Sequence, residues 1–290
     1  VSNVYMLFGK DGLVGRALLS RLEDGNPPYR VFAFDRPKAD ISNKSHVSPL
    51  VKYIKPTVVF NCAGVNDAEM CQDAPSGAFA VNAVGPDVLA RECAKIGAKL
   101  IHISAADVYD GKRTAPYSER CKPAPINVLG QSKLEGEKAI AAACDNHLII
   151  RPGWAFHYEG ENPLTDWIAN ADRRLKITVC GNYHGSPTYV PDLVDGVMDL
   201  VREDARGVFN VANGEAATWE SFAQAVVELT KTRAKVQQAS ETMKQWYRAP
   251  VPAYSVLSTK KYSAATGKKM RTWVEALKEC LFEMHRYRPG

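Results

Sequence analysis

Short apolar runs separated by amphipathic stretches dominate the first half of the chain. Val4-Tyr5-Met6-Leu7-Phe8 is a β-rich run ending at Gly9, and Leu13 to Leu22 then carries apolar residues at helical spacing. Arg30-Val31-Phe32-Ala33-Phe34 predicts a second strand that ends at Asp35, and Thr57-Val58-Val59-Phe60-Asn61 a third after Pro56. A long helical pattern from Ala78 to Lys95 leads into the strand-like Lys99 to Ser104. Lys133 to Ala143 predicts another helix, followed by His147-Leu148-Ile149-Ile150. Strands this uniformly apolar, alternating with helices, predict an α/β fold with a doubly wound parallel sheet covered on both faces. After Arg151-Pro152 the texture changes. Helical patterns persist (Pro191 to Val201, Thr218 to Leu229, Thr272 to Met284), but Pro, Tyr and Trp become common and loops lengthen. The expected organisation is a nucleotide-binding domain over 1–155 and a smaller, irregular substrate lobe over 156–290, with a soft boundary that the chain can recross.

Composition narrows the function classes. A chain of 290 residues, 46% hydrophobic and 24% charged, is ample for a sizeable core. The net charge of +5 comes from scattered lysines, which points away from nucleic acid while allowing a basic cleft for a phosphorylated ligand. No apolar run reaches membrane-spanning length, and the opening residues enter a strand at once, so neither a membrane span nor a signal peptide is expected. Seven cysteines without CxxC spacing predict reduced, mostly buried thiols and a cytoplasmic location. The six histidines are dispersed, and no metal site is expected.

Gly9-Lys10-Asp11-Gly12-Leu13-Val14-Gly15 lies between the first strand and the first helix. Glycines there allow a tight turn and close backbone approach, and the helix N-terminus offers free N–H groups to a pyrophosphate. Asp35 falls about twenty residues on, as a Rossmann-type dinucleotide site requires. Its carboxylate suits the ribose hydroxyls of NAD, whereas Arg36 suits the 2′-phosphate of NADP, so both cofactors stay open. Cys62, Ala63 and Gly64 close the third strand with small residues, either for passage of a dinucleotide or as a plain strand end.

Together these segments resemble the extended short-chain dehydrogenase/reductases, and within them the dTDP-4-dehydrorhamnose reductase family, over nearly the whole chain. The residues that carry the resemblance are Leu7 to Gly15, Val81-Asn82-Ala83, His102 to Gly111, Pro125 to Glu137, Arg151-Pro152-Gly153-Trp154 and Gly185-Ser186-Pro187-Thr188. The resemblance implies reduction of the 4-keto group of a nucleotide-linked deoxysugar by NAD(P)H. A tyrosine gives the proton, a lysine holds the nicotinamide ribose and lowers the tyrosine pKa, and a serine or threonine holds the carbonyl oxygen. Position by position, Lys133 matches the lysine, but Leu129 occupies the tyrosine position and Ala105 the Ser/Thr position. Ala106 stands where the family has an acidic residue. Ser104, Trp154, Tyr183 and Pro187 fall at or beside segments near the family's sugar pocket.

An alkyl side chain has no proton to give. Asp107 and Tyr109 share a face with Ala105 if the strand continues at period two, and Ser104 then points the other way. Asp107, Tyr109 and His157 are therefore the candidate substitute acids, against the plainer readings of a capping carboxylate, a packing ring and a surface-loop histidine. Trp219 sits in a helical pattern with Phe222, Ala223 and Val226 and is expected in the core. Arg173-Arg174 suit a diphosphate or a solvated helix end, and Cys121 between Arg120 and Lys122 a lowered thiol pKa or an inert loop. Three readings compete: a reductase with an atypical acid, a catalytically silent NAD(P)-binding subunit, and a non-reducing nucleotide-sugar enzyme such as an epimerase or lyase. The second has a precedent in the regulatory β-subunit of methionine adenosyltransferase. Expected partners are a nucleotide-linked sugar and, beyond it, a second copy in a homodimer or a regulatory partner protein.

Overall fold

The computed structural model describes residues 3–24, 28–179, 183–239 and 248–287. Five strands come from the first half: β1 (Asn3–Phe8), β2 (Tyr29–Phe34), β3 (Val58–Asn61), β4 (Lys99–Ile103) and β5 (His147–Arg151). They stand in the order β2-β1-β3-β4-β5, and the strand Gly207–Asn210 completes the sheet beside β5, every pair parallel. Because β1 lies between β2 and β3, the winding direction reverses there, and the carboxyl end of β1 opens onto the crevice where such sheets bind ligands.

The period-two alternation of each strand sorts its side chains onto two faces. Leu7, Phe60, Ile101, Ile103, Leu148 and Ile150 pack on helix α1 (Leu13–Glu23) and on the helix Val190–Arg202. Met6, Phe8, Val59, Leu100 and Ile149 pack beneath the other layer: helices α2 (Lys44–Ile54), α5 (Gly85–Ile96) and α6 (Val128–Ala143). The sixth strand and the 190–202 helix both belong to the second half of the chain, which thus returns to the sheet. A separate core of Phe156, Leu164, Tyr189, Phe222, Trp273 and Leu277 holds the remainder together. Among the described residues, no helix is long and apolar enough to cross a membrane.

Two differences from expectation have physical causes. The helix expected over 78–95 follows the short α3 (Ala68–Asp73) and is split into α4 (Pro75–Phe79), a wide π-turn (Ala80–Val84) and α5. The wide turn aims Asn82 inward, where its amide donates to the Val65 carbonyl (2.9 Å) and Ser132 Oγ (3.0 Å) and its oxygen accepts from Val65 N–H (2.9 Å). Gly136 of α6 presses on the same turn; a Cβ there would lie 2.1 Å from the Asn82 carbonyl oxygen. Helix α2 carries Val47, Leu50, Val51 and Ile54 at helical spacing, but Pro49 inside it argues against a helix and hid it from the pattern.

Candidate active site

The cofactor half is built at the end of β1. Gly9 adopts a positive φ of 79°, and a Cβ on it would lie 2.4 Å from the Ala63 backbone nitrogen. Gly15 is equally obligatory, since its Cβ would sit 1.9 Å from the Gly9 carbonyl oxygen. Gly12 has another role: its backbone is extended, it borders open space, and as the residue before α1 it supplies no side-chain cap. The first-turn N–H groups are left facing the cleft with the positive end of the helix dipole behind them, which suits a pyrophosphate.

A pocket of about 280 Å³ runs from Gly9, Asp11 and Gly12 past Asp35 and Arg36 to Cys62, Ala63 and Gly64. Asp35 accepts from Lys38 N–H at 3.1 Å, and Lys10 Nζ lies 3.6 Å from its carboxylate and 2.7 Å from that of Asp11. Lys10 is therefore a neighbour that clamps the acidic residues, rather than part of the pocket wall. Arg36 is 78% exposed at its side chain, with Asp40 3.7 Å away.

Past Gly12, Leu13 and Val14 the pocket opens into a cleft of about 520 Å³, with Ala105, Asp107, Leu129 and Lys133 on its walls. Helix α6 carries two of these. Asn127 caps it by accepting Gly130 N–H at 2.8 Å, so it starts five residues before the expected Lys133. Gly130 seats the first turn against the chain after β4, where a Cβ would lie 2.0 Å from the Asp107 carbonyl oxygen. One turn on, Lys133 is 2% exposed, and its Nζ lies 3.5 Å from the Ile103 carbonyl. A Cβ on Gly64 would stand 2.6 Å from that Nζ, so the lysine head reaches the cofactor strand. Burial pulls its ammonium down to about 8.

Leu129 is 4% exposed and packs with Cys71 and Ala78 in an apolar cluster. Asp107, half-buried on the facing wall, has a carboxyl pushed above its ordinary range by burial. A model of the RmlD substrate binding domain matches residues 3–286. The chain belongs to that family. It is 30% identical over 289 residues to dTDP-4-dehydrorhamnose reductase of Sinorhizobium fredii, covering 95% of this chain and 96% of that one. The enzyme of the same name from Mycolicibacterium smegmatis is 32% identical over 283 residues, covering 95% of this chain and 84% of its own. A crystal structure of dTDP-4-dehydrorhamnose reductase from Bacillus anthracis in complex with NADP superposes with a TM-score of 0.92 at 29% identity, covering 98% of this chain and all of that one.

Other residues of this RmlD-family chain stand away from where the sequence put them. Tyr109 is fully buried behind the cleft, because β4 ends at Ile103 and the 3₁₀ turn Ala106–Val108 breaks the period-two pattern. Its hydroxyl accepts from Arg151 (2.8 Å) and donates to the Ser118 carbonyl (3.1 Å), and its ring stacks on Tyr117. Ser104 borders the cleft but donates its proton to Glu137 at 2.5 Å, within the same buried network as Arg151. His157 lines a different depression with Arg21, Asp195 and Glu279, stacked on Tyr158 with its pKa lowered by burial; it is not on the cleft wall. Pro187 is buried as the strand partner of Trp154, so it backs the wall without lining it.

Trp154 does line the cleft, and Gly185 fits against its ring, where a Cβ would lie 2.3 Å from the indole. Trp219, expected in the core, packs against it half-buried, and its outer face stacks on Trp154 at 4.0 Å and borders both the cleft and an adjoining 550 Å³ cavity that includes Tyr183 and Trp167. The signal was available: Trp219 is the first residue of its helix, where a side chain projects past the core. Asn127 was missed for want of a charge or ring, and it also ties the α6 start to the Pro250 carbonyl at 2.8 Å. The side chains of Arg173 and Arg174, and Cys180, lie outside the described residues. Cys121 is half-buried, 3.6 Å from Ser118 Oγ.

Proposed function

We propose that this chain is an NAD(P)-dependent reductase of a nucleotide-linked 4-keto sugar that works without the family's tyrosine. One observation carries the reading. An uncapped helix N-terminus at the sheet's switch point opens into a cleft whose inner wall is a buried lysine within reach of the cofactor strand. Gly12, Leu13 and Val14 would hold the pyrophosphate, Asp35 the adenosine ribose, and Lys133 the nicotinamide ribose. Bound there, the nicotinamide supplies hydride. The NADP complex of the Bacillus anthracis relative supports the same cradle, and the relatives' names support a dTDP-linked ketosugar. Asp35 suits the ribose hydroxyls of NADH, while exposed Arg36 and nearby Lys38 suit the extra phosphate of NADPH. Trp154 and Trp219 form a flat apolar wall for the sugar nucleotide, beside a cavity bordered by Arg248. We place the protein in the cytoplasm, as its free thiols favour.

Titration with NADH and NADPH, followed by protection against thermal unfolding, tests the cradle. A panel of dTDP-4-keto-6-deoxy sugars then tests turnover. Cofactor binding with turnover is expected; absence of both overturns the reading. Aliphatic Leu129 and Ala105 favour one rival, a silent NAD(P)-binding subunit with a regulatory partner, which cofactor binding without any turnover would support.

A further inference from the structure

The cleft contains few groups able to release a proton. Of its polar side chains, Ser104 donates to Glu137, Asn127 caps α6, and Asn162 caps the helix Pro163–Arg174. Asn66 and Ser255 have no acidic proton at ordinary pH, and burial pushes the Cys62 thiol, also on the wall, up to about 12, too weak an acid to give its proton readily. Lys133 is committed to the cofactor side, and Glu161 is exposed at the mouth. Asp107 alone, among the described residues on these walls, offers a carboxyl partly removed from water and turned to the same space as Leu129 and Lys133. Its placement is rigid: the 3₁₀ turn holds the backbone, and Gly130, next to Leu129, rests on the Asp107 carbonyl.

We propose that the Asp107 carboxyl, set on the cleft wall against the first turn of α6, replaces the missing tyrosine as proton donor to the sugar carbonyl. The proposal rests on the reductase reading above. In the step, the ketone carbon gains a hydride from the reduced nicotinamide and the carbonyl π pair moves onto oxygen. That oxygen takes the Asp107 proton, giving an alcohol, an oxidised nicotinamide and the Asp107 carboxylate, which solvent reprotonates. The groups facing Asp107 are Lys133 on α6, the Cys71 thiol on the helix Ala68–Asp73, Asn127 at the α6 cap and Glu161 across the cleft. Burial favours the neutral acid and outweighs three influences towards the carboxylate: the residue's own backbone N–H, the Asn127 amide and the charge of Lys133. A carboxylic acid kept neutral by its surroundings is a workable donor.

The test is Asp107→Asn, with Asp107→Glu as the conservative partner, in the full chain with NADPH and a dTDP-4-keto-6-deoxy sugar. Expected for Asp107→Asn is a kcat about 10²–10⁴-fold lower with an unchanged NADPH titration, partial recovery in Asp107→Glu, and restoration by adding Leu129→Tyr. The unmodified protein should lose kcat as pH rises through the carboxyl's pKa, well below the ~10 of a free tyrosine. Infrared titration gives a readout independent of turnover. A protonated-carboxyl band should persist above the ordinary Asp value of ~3.9, and Asp107→Asn should lack it. Turnover by Asp107→Asn within threefold of the unmodified protein, or a kcat flat up to pH 9, overturns the assignment and leaves the reductase reading standing. NADPH binding without any turnover in the unmodified protein overturns both.

Discussion

Lys133 shows what it costs to keep a charge in this cleft. Its ammonium is buried, and its pKa in the folded protein, about 8, lies below the ~10.4 of an unfolded chain. Between those pH values the unfolded state holds the extra proton, so Lys133 contributes stability that increases as pH rises through the window. Below pH 8 the buried charge is a net penalty, on the order of 3 kcal/mol from the width of the window. Lys133→Met should therefore be the more stable protein at pH 7, with the gap closing towards pH 10; chemical denaturation at the two pH values checks this. The same variant should bind NADPH more weakly, since the lysine reaches Gly64 in the turn after β3. Gly64→Ala tests that contact from the other side: a methyl group 2.6 Å from Nζ must displace the lysine, and a NADPH affinity at least tenfold lower is expected by titration.

Among the elements, α6 and β5 are joined by one buried ion pair. Arg151 donates through Nε (2.9 Å) and Nη2 (2.5 Å) to Glu137, which also accepts from Ser104, and both charged side chains are no more than 5% exposed. Removing only Arg151 strands a carboxylate in the interior. Arg151→Met should destabilise the fold by roughly 3–5 kcal/mol, and Arg151→Met with Glu137→Leu should recover most of it in urea unfolding. The elements were the part best legible in the sequence, because strands buried on both faces leave apolar runs such as Leu148-Ile149-Ile150. Gly207–Asn210 was not, being four residues long with a polar end at the sheet's edge. The cofactor loop could be read since strand, glycines and helix are contiguous. The cleft wall could be read only in part: Ala105, Asp107, Leu129 and Lys133 were expected there, but Tyr109 depends on where β4 stops, and ending at Ile103 the strand sends Asp107 into the cleft and Tyr109 behind it. Trp219 could be read only from its place as the first residue of its helix, since the apolar spacing describes the turns after it.

The molecule as a whole is tied across the cleft at several points. Leu193, Val197 and Phe209 from the second half share one core with Leu7, Leu18 and Phe60 from the first. Glu69 accepts from the N–H groups of Arg248 (3.0 Å) and Ala249 (2.9 Å), and Arg248 also pairs with Asp73. Elements sharing a core this way should unfold together. All five tryptophans follow residue 150, so their fluorescence reports the second half, whereas far-ultraviolet circular dichroism reports every helix. The two thermal curves should coincide; an earlier fluorescence transition would mean that the second half melts on its own.

The paired indoles of Trp154 and Trp219 lie 4.0 Å apart and 7° from parallel. Two such chromophores face to face couple their electronic transitions, giving the mouth of the cleft a built-in optical signal. A sugar nucleotide that slides against this pair would alter the near-ultraviolet dichroism without any label, and a Trp219→Leu protein would be blind to it.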